Sequence, residues 1–317
     1  MNKKNSYLFV SFIIPTYNSQ KYLGNCLKSI IKQDYPHHKR EILVVDGGSI
    51  DETLQIAKSY HAQIINNPWK DPETAKSLGI QKANGGIIAL LDSDNEIIKN
   101  DWLKKMVKPL LLDKNLFGVE SFYFPREKES IFNTYSMLAH IADPFSRCIA
   151  GKLKEEKKKE YIEYQIVPGT AYPLGANGFL WNKRIIKEVG FYKPMFEESN
   201  FSYYSTMKGY RKFARVPGYG IYHDHINSLA DFIGKRLKIG NKFLTRTEEK
   251  KRTWLEGVSR VKFVYSFVYC ATFLGPLIEG LLNFFKTGQL AWLLHPVMSF
   301  LSVATYSIVF IRRKIQI

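Results

Sequence analysis

A chain of 317 residues can bury a substantial core and hold one large or two ordinary domains. Lys and Arg outnumber Asp and Glu by 46 to 29, and the net charge of +17 points to a polyanion, a phosphorylated ligand or an anionic membrane surface. The three cysteines, Cys26, Cys148 and Cys270, lie far apart and match no zinc spacing, so neither a disulfide framework nor a metal knuckle is indicated.

The first apolar run, Leu8 to Ile14, follows Lys3 and Lys4 but is short, is broken by Pro15 and lacks a small-residue cleavage site. It therefore reads as a strand, Phe9 to Ile14, and not as a signal peptide. Pro15-Thr16-Tyr17-Asn18 makes the following turn, Ser19 is a reasonable helix N-cap, and Leu23, Leu27, Ile30 and Ile31 recur at helical spacing. The plan repeats. Ile42 to Val45 reads as a strand, Asp46-Gly47-Gly48 as a tight turn, and Ser49-Ile50-Asp51-Glu52 as a capping box opening a helix through Leu54, Ala57 and Tyr60. A short strand, Gln63 to Ile65, leads to Asp71-Pro72, an N-cap followed by proline at the first helical position. Ile87 to Leu91 is then a continuous apolar run after Gly85-Gly86, the pattern of a fully buried strand in a parallel sheet. Four strands alternating with helices before residue 110 predict an α/β fold, a Rossmann-like, doubly wound and largely parallel sheet flanked by helices.

The fourth strand runs straight into Asp92-Ser93-Asp94-Asn95. Two carboxylates at the carboxyl end of such a strand lie at the ligand-binding edge of an open sheet, and they suit a hard divalent cation that also grips phosphate oxygens. Asp, Ser and Asn are also ordinary turn residues. Patterning is mixed from Glu120 to Gln165, where the charge run Lys152 to Glu160 reads as a solvated face. Order returns at Gly175-Ala176-Asn177-Gly178-Phe179-Leu180, with a helix from Lys183 to Val189, the pair Glu197-Glu198, a strand-like Ala214 to Val216 ending at Pro217, and His223-Asp224-His225.

Beyond Ile226 the composition changes. Up to Lys262 there are ten Lys or Arg against four acids, and Leu229, Phe232, Ile233 and Leu237 share a helical face, as in a basic amphipathic helix lying on anionic lipids. Leu290 to Ile311 carries no formal charge besides His295 and is long enough to cross a bilayer core of roughly 30 Å. Phe263 to Phe285, interrupted by Pro276 and Glu279, is a weaker span, kinked or re-entrant. The expected organisation is a soluble domain over 1–225, a basic juxtamembrane segment over 226–260 and a transmembrane hairpin over 261–317 with a basic tail. With basic residues on both flanks, a hairpin places the soluble domain on the cytoplasmic face of the cell membrane, as a multi-pass protein. Positive charge beside apolar segments, not among stacking aromatics of a sheet, argues against nucleic acid as a partner.

From residue 9 to 225 the order of five motifs resembles the family 2 glycosyltransferases of the GT-A fold. Ile13-Ile14-Pro15-Thr16-Tyr17-Asn18 looks like the family's first strand and nucleotide-contacting turn, and Val44 to Thr53 like the second, where Asp46 would hold the base. Lys76-Ser77-Leu78-Gly79 stands for Arg-Asn-x-Gly, whose cation reaches the donor phosphates, and Asp92-Ser93-Asp94 for the metal-binding Asp-x-Asp. Glu197-Glu198 stands for Glu-Asp. The resemblance implies Mn²⁺ or Mg²⁺ on Asp94, with Asp92 near ribose and metal, Ser93 beside the donor, and His223 as a further ligand. It implies Glu198 as general base toward an acceptor hydroxyl, and inverting transfer from a nucleotide sugar, a UDP-sugar, to a lipid-linked saccharide or glycan. Three departures stand out: Glu198 replaces aspartate, Asn200 replaces a frequent second aspartate, and Lys76 gives up arginine's bidentate fork. No Gln-x-x-Arg-Trp is present, which implies one sugar per encounter. Two other readings stay open. One is transfer to a polyprenyl phosphate, which needs no hydroxyl-activating base, and the other is a catalytically silent membrane scaffold that keeps the fold.

Overall fold

The computed structural model describes residues 7–140, 143–167, 170, 172–175, 177–190, 192–245 and 253–315. Lys3, Lys4, Ala176 and part of the expected basic segment, 246–252, lie outside the described residues. The chain divides into two compact units.

The first unit takes Met1–Phe122, Leu153–Gly169 and Leu174–His223. Strands and helices alternate as the periodicity predicts: β1 (Val10–Thr16), α1 (Leu23–Ile31), β2 (Arg40–Asp46), α2 (Thr53–Ser59), β3 (Gln63–Asn66), α3 (Pro72–Lys82) and β4 (Ile87–Leu90). β1 pairs in parallel with both β2 and β4, and β2 with β3, so these four strands lie in the order β3-β2-β1-β4. Their apolar residues from Phe12 to Ile14, Leu43 to Val45 and Ile88 to Leu91 are buried, as strands covered on both faces require. Asp71 caps α3 by accepting from Thr74 N at 3.0 Å, with Pro72 in the first turn.

The two other expected caps are displaced. α1 starts only at Leu23, and Ser19 contributes its carbonyl to Tyr22 N and Leu23 N while its side chain turns elsewhere. α2 starts at Thr53, whose N–H and hydroxyl both go to Asp51 Oδ1. Ser49 Oγ is used elsewhere: it donates to Asp46 Oδ1 and accepts from Asn18 N, so it is not left to accept from a helix N–H.

The second half of the sheet is mixed: β9 (Phe179–Asn182) runs antiparallel to β4 and to β6 (Leu116–Tyr123). After β5 (Asn95–Ile97), α4 (Trp102–Leu112) and β6 (Leu116–Tyr123), the chain forms α5 (Ile131–Ala139) and α6 (Pro144–Ile149) of the second unit. It then returns as β7 (Leu153–Lys157), β8 (Ile162–Ile166), β9 (Phe179–Asn182), α7 (Lys183–Val189), α8 (Glu198–Met207) and β10 (Lys212–His223). The order continues β4-β9-β6-β10-β8-β7, with β5 also on β10. The charge run from Lys152 forms the exposed strand β7, an edge position where charged side chains block further pairing. β10 does not stop at Pro217. Pro217 and Gly218 fall between the ladder to β8, which ends at Arg215, and the ladder to β5, which starts at Ile221, so the missing N–H interrupts neither.

The second unit takes Tyr123–Lys152, Thr170–Pro173 and Asp224–Ile317. It adds α9 (Leu229–Thr245), α10 (Arg260–Ala271), α11 (Leu274–Thr287) and α12 (His295–Ile315). The apolar face of α9 is spent inside the unit: Phe232 is fully buried with Tyr135, Ile226, Trp292 and Met298, and Ile233 packs against that cluster. Among the described residues one stretch, Leu290–Arg312, is long and apolar enough to cross a membrane. The expected first arm, read as kinked or re-entrant, is two helices, α10 and α11, bent by 75°. The break falls at Thr272-Phe273, with Phe273 at φ 61°, and not at Pro276, which sits in the first turn of α11 where an N–H has no helical acceptor anyway. Glu279 does not break α11. It accepts from Tyr269 Oη at 2.6 Å and pairs with Arg147 at 2.6 Å and His295 at 3.4 Å.

Candidate active site

Three turns meet at the carboxyl edge of the parallel strands. Asp46, at the end of β2, is 3% exposed, and its carboxylate accepts four hydrogen bonds: from Thr16 Oγ1 at 2.9 Å, Ser49 Oγ at 2.6 Å, and Gly48 N and Ser49 N at 2.8 Å each. Gly48 allows this wrap because it holds φ 83°, which L side chains avoid. The neighbouring turn is laced to it: Asn18 N donates to Ser49 Oγ at 2.8 Å, and Ile50 N donates to Asn18 Oδ1 at 3.0 Å. Asp46 is thus the brace of both turns, with its four acceptor positions filled, and not an open acceptor for a base. What the turns expose is Tyr17. Its ring is half out in solvent, lies against Gly47 and carries Lys70 Nζ 5.3 Å from its centroid. Pro15 stays in β1, in register with Val45.

The third turn follows β4. Asn95, almost fully buried, closes it by accepting from Asp92 N at 2.9 Å and donating to Asp94 Oδ1 at 3.0 Å, while Asn95 N donates to Asp92 O at 3.0 Å. Ser93 Oγ donates to Ser19 Oγ at 3.0 Å, tying this turn to the first. Asn95 also begins β5, whose pairing with β10 sets it opposite His223. That register brings a residue 129 positions after Asp94 to its side: His223 Nε2 lies 3.7 Å from Asp94 Oδ1. Ligand atoms of Asp92, Asp94 and His223 all fall within 4.8 Å of one another. Two carboxylate oxygens and one imidazole nitrogen fit Mn²⁺ or Mg²⁺, leaving positions for phosphate oxygens.

The expected base and phosphate-binding cation meet each other. Lys76 Nζ on α3 lies 2.6 Å from Glu198 Oε1 at the start of α8, and both are buried. Lys76 is therefore committed to Glu198 here and not left open to a donor. Burial pushes the Glu198 carboxyl up to about 7, against the pull of the Lys76 ammonium. Burial works against the charge on Lys76, but Glu198, with Asp92 and Glu73, more than offsets it and holds the ammonium well above its ordinary value. Glu197 is the N-cap of α8, accepting from Asn200 N at 2.7 Å, so the pair divides into a structural and a site carboxylate.

Residues 11–189 match glycosyl transferase family 2, more than half of the chain. The chain belongs to glycosyl transferase family 2. Similar curated proteins include the glycosyltransferase AglE of Haloferax volcanii, 35% identical over 108 residues, 32% of this chain and 35% of that protein. The poly(ribitol-phosphate) beta-N-acetylglucosaminyltransferase TarS of Staphylococcus aureus is 36% identical over 95 residues, 28% of this chain and 17% of that one. A dolichyl N-acetyl-alpha-D-glucosaminyl phosphate 3-beta-D-2,3-diacetamido-2,3-dideoxy-beta-D-glucuronosyltransferase of Methanococcus voltae is 34% identical over 104 residues, 29% of this chain and 32% of that one. The matches span about a third or less of these relatives. Among solved structures, mannosyltransferase PcManGT from Pyrobaculum calidifontis, in complex with GDP-Man and Mn2+, superposes with a TM-score of 0.58 over 95% of this chain and 88% of that one, at 17% identity. At that identity the likeness speaks for a shared GT-A fold.

The family 2 match ends at Val189, so Glu197, Glu198 and His223 lie beyond it, and their place in the site rests on geometry. Sequence reasoning missed Asn95 and Lys70. Asn95 had a readable signal, a fourth turn-former right after Asp92-Ser93-Asp94; Lys70 had none.

Proposed function

We propose that this family 2 chain transfers a sugar from a nucleotide-sugar donor, a UDP-sugar, to a lipid-linked saccharide or glycan acceptor. The observation that carries the reading is the convergence of Asp92, Asp94 and His223 at the edge where the nucleotide-contacting turns also meet. Relatives named for transfer to a dolichyl-phosphate-linked sugar and to poly(ribitol-phosphate), and a fold neighbour holding GDP-Man and Mn2+, support it. A divalent cation on Asp94, Asp92 and His223 would neutralise charge on the departing diphosphate. The exposed Tyr17 ring, with Lys70 above it, offers the nucleotide base a stacking surface, and Asp46 serves by fixing that turn. Ser93 holds the Asp-x-Asp turn to Ser19.

Glu198 is the base that takes a proton from an acceptor hydroxyl as it attacks the anomeric carbon, a single displacement with inversion. A carboxyl near pH 7 can take that proton at neutral pH and release it again. Lys76 is its positioning partner. One observation favours a second reading: a carboxylate already held by an ammonium at 2.6 Å is dispensable if the acceptor is itself anionic, as a polyprenyl phosphate is. Glu198→Gln separates them, since transfer to a hydroxyl acceptor then collapses while transfer to a lipid phosphate continues. Metal-dependent release of nucleotide diphosphate from any nucleotide sugar removes the silent-scaffold reading.

Membrane association rests on the second unit. Val261, Val264, Tyr265 and Val268 on α10, and Leu274, Ile278, Leu282 and Phe285 on α11, are exposed, an apolar surface too extensive for water. We place it in the cytoplasmic leaflet of the cell membrane, with the exposed Lys238 and Arg260 toward anionic headgroups. The 75° bend between α10 and α11 suits a broken or re-entrant arm of the hairpin, with Leu290–Arg312 as its second arm. Sedimentation with vesicles containing anionic lipid tests this, and loss of binding in a Val264→Asp, Leu282→Asp double variant is the expected result.

A further inference from the structure

Within the second unit a cavity of about 520 Å³ opens between α6, α9, α10 and α12, in the size range of small-molecule sites. Its wall is aromatic and aliphatic: Phe145 and Ile149 from α6, Phe243 from α9, Phe263 and Phe267 from α10, and Phe310 from α12. Two hydroxyls in the wall are turned out of it. Ser146 Oγ donates to Asp143 Oδ2 at 2.5 Å and Tyr306 Oη to the same carboxylate at 3.0 Å, so neither is offered to a guest. The space is only partly enclosed, and its lining is almost wholly apolar, so it suits an apolar occupant that reaches in from outside. Basic residues neighbour the lining along the chain. Lys262, next to the lining residue Phe263, donates through Nζ to the carbonyl of Ala150, next to the lining residue Ile149, and Lys152 follows two residues on.

We propose that this cavity seats the hydrocarbon chain of an isoprenoid lipid, with its phosphate head at Lys262 and Lys152. The choice of an isoprenoid phosphate rests on the acceptor reading above, whereas the apolar chain and the anionic head rest on the cavity alone. Gly240, also in the wall, is the point where α9 crosses α12: a Cβ there would meet Tyr306 and Val309 at 3.3 Å, so the α9–α12 crossing is fixed by close contact and the cavity is built into it.

The test uses the full chain in detergent micelles and a polyprenyl monophosphate with a diazirine on its chain, with photolabelled peptides mapped by mass spectrometry. Label is expected in the peptides holding Phe263 to Phe267 or Val303 to Ile311. It should fall at least tenfold in Ser307→Phe, which fills the cavity, and persist in Phe267→Ala, which enlarges it. Excess unlabelled polyprenyl phosphate should remove it, while dioleoyl phosphatidic acid should not. Should Ser307→Phe lose its monodisperse elution, Leu255→Trp fills the same space from another element. Label spread over the exposed faces of α10 and α11 and indifferent to both filling variants overturns the site, and equal competition by phosphatidic acid overturns the isoprenoid. Metal-dependent nucleotide release measured on the same samples keeps the two readings apart: release without labelling sinks only the cavity assignment, and labelling without release sinks only the proposed activity.

Discussion

Removing the ammonium from the buried Lys76–Glu198 pair, by Lys76→Met, should convert an ordinary pH–rate profile into a strongly alkaline one. The pair is 2.6 Å apart with both side chains about nine-tenths covered. At an effective dielectric near 20, opposite charges attract by roughly 4 kcal/mol even at 4 Å, and more at closer range. At 1.36 kcal/mol per pH unit, that attraction equals about three pH units of acidity. Glu198 sits at about 7 with Lys76 in place, so without it the carboxyl stays protonated well above neutrality. At pH 7.5 transfer to a hydroxyl acceptor should fall on the order of a hundredfold or more and recover as pH rises, while Lys76→Arg keeps the charge and most of the rate. The assay is initial rate of transfer to a hydroxyl acceptor between pH 6 and 10, with protein integrity checked by circular dichroism. A Lys76→Met enzyme with the wild-type rate and the wild-type acid limb refutes the reasoning.

Three further outcomes follow from particular side chains. Because the folded-state pKa of Glu198 is raised from 4.5 to about 7, the folded protein binds that proton more tightly than the unfolded chain. This contribution is complete below about pH 4.5 and is lost as pH rises through 7. The difference between wild type and Glu198→Gln in urea unfolding should shift by about 3 kcal/mol in favour of wild type between pH 8 and pH 4.5, and a flat difference contradicts it. Asn95→Ala strands the part-buried Asp92 N–H and removes one donor from Asp94, at a cost of about 1 kcal/mol and a 10–100-fold weaker Mn²⁺ affinity by calorimetry; unchanged affinity would remove Asn95 from the site. In Gly118→Ala a new Cβ would fall 2.0 Å from Phe179 Cε1 and 2.6 Å from Leu180 O, both in the strand beside it, so a loss at or above the upper end of about 1–3 kcal/mol is expected in denaturant midpoint. An unaltered midpoint would mean β6 and β9 have room to part.

The first ninety residues were legible because they obey local rules. Buried parallel strands read as unbroken apolar runs, and turns carry Asp, Gly and Ser where the backbone needs them. What could not be read is long-range partnership. Nothing local tells that Ser19 and Ser49 abandon helix capping for Ser93 and Asp46, since a cap and a cross-turn hydrogen bond use the same hydroxyl. Lys76 gave no hint that its partner would be Glu198, 122 residues away. His223 had an apparent place only through resemblance, and the reason it reaches Asp94 is the register between β5 and β10, a property of strand pairing. The α9 segment misled for a related reason: hydropathy counts apolar residues but not what covers them, so an α9 face packed inside its own unit and an α10–α11 surface left exposed score alike.

Mn²⁺ binding followed by electron paramagnetic resonance, with and without UDP, bears most directly on the Asp92–Asp94–His223 centre. Wild type should remove free Mn²⁺ signal, more so with UDP present. Asp94→Ala should abolish the effect, and His223→Ala should weaken it at least tenfold. Equal Mn²⁺ uptake by wild type and both variants would place the metal, and with it the donor diphosphate, somewhere other than this turn.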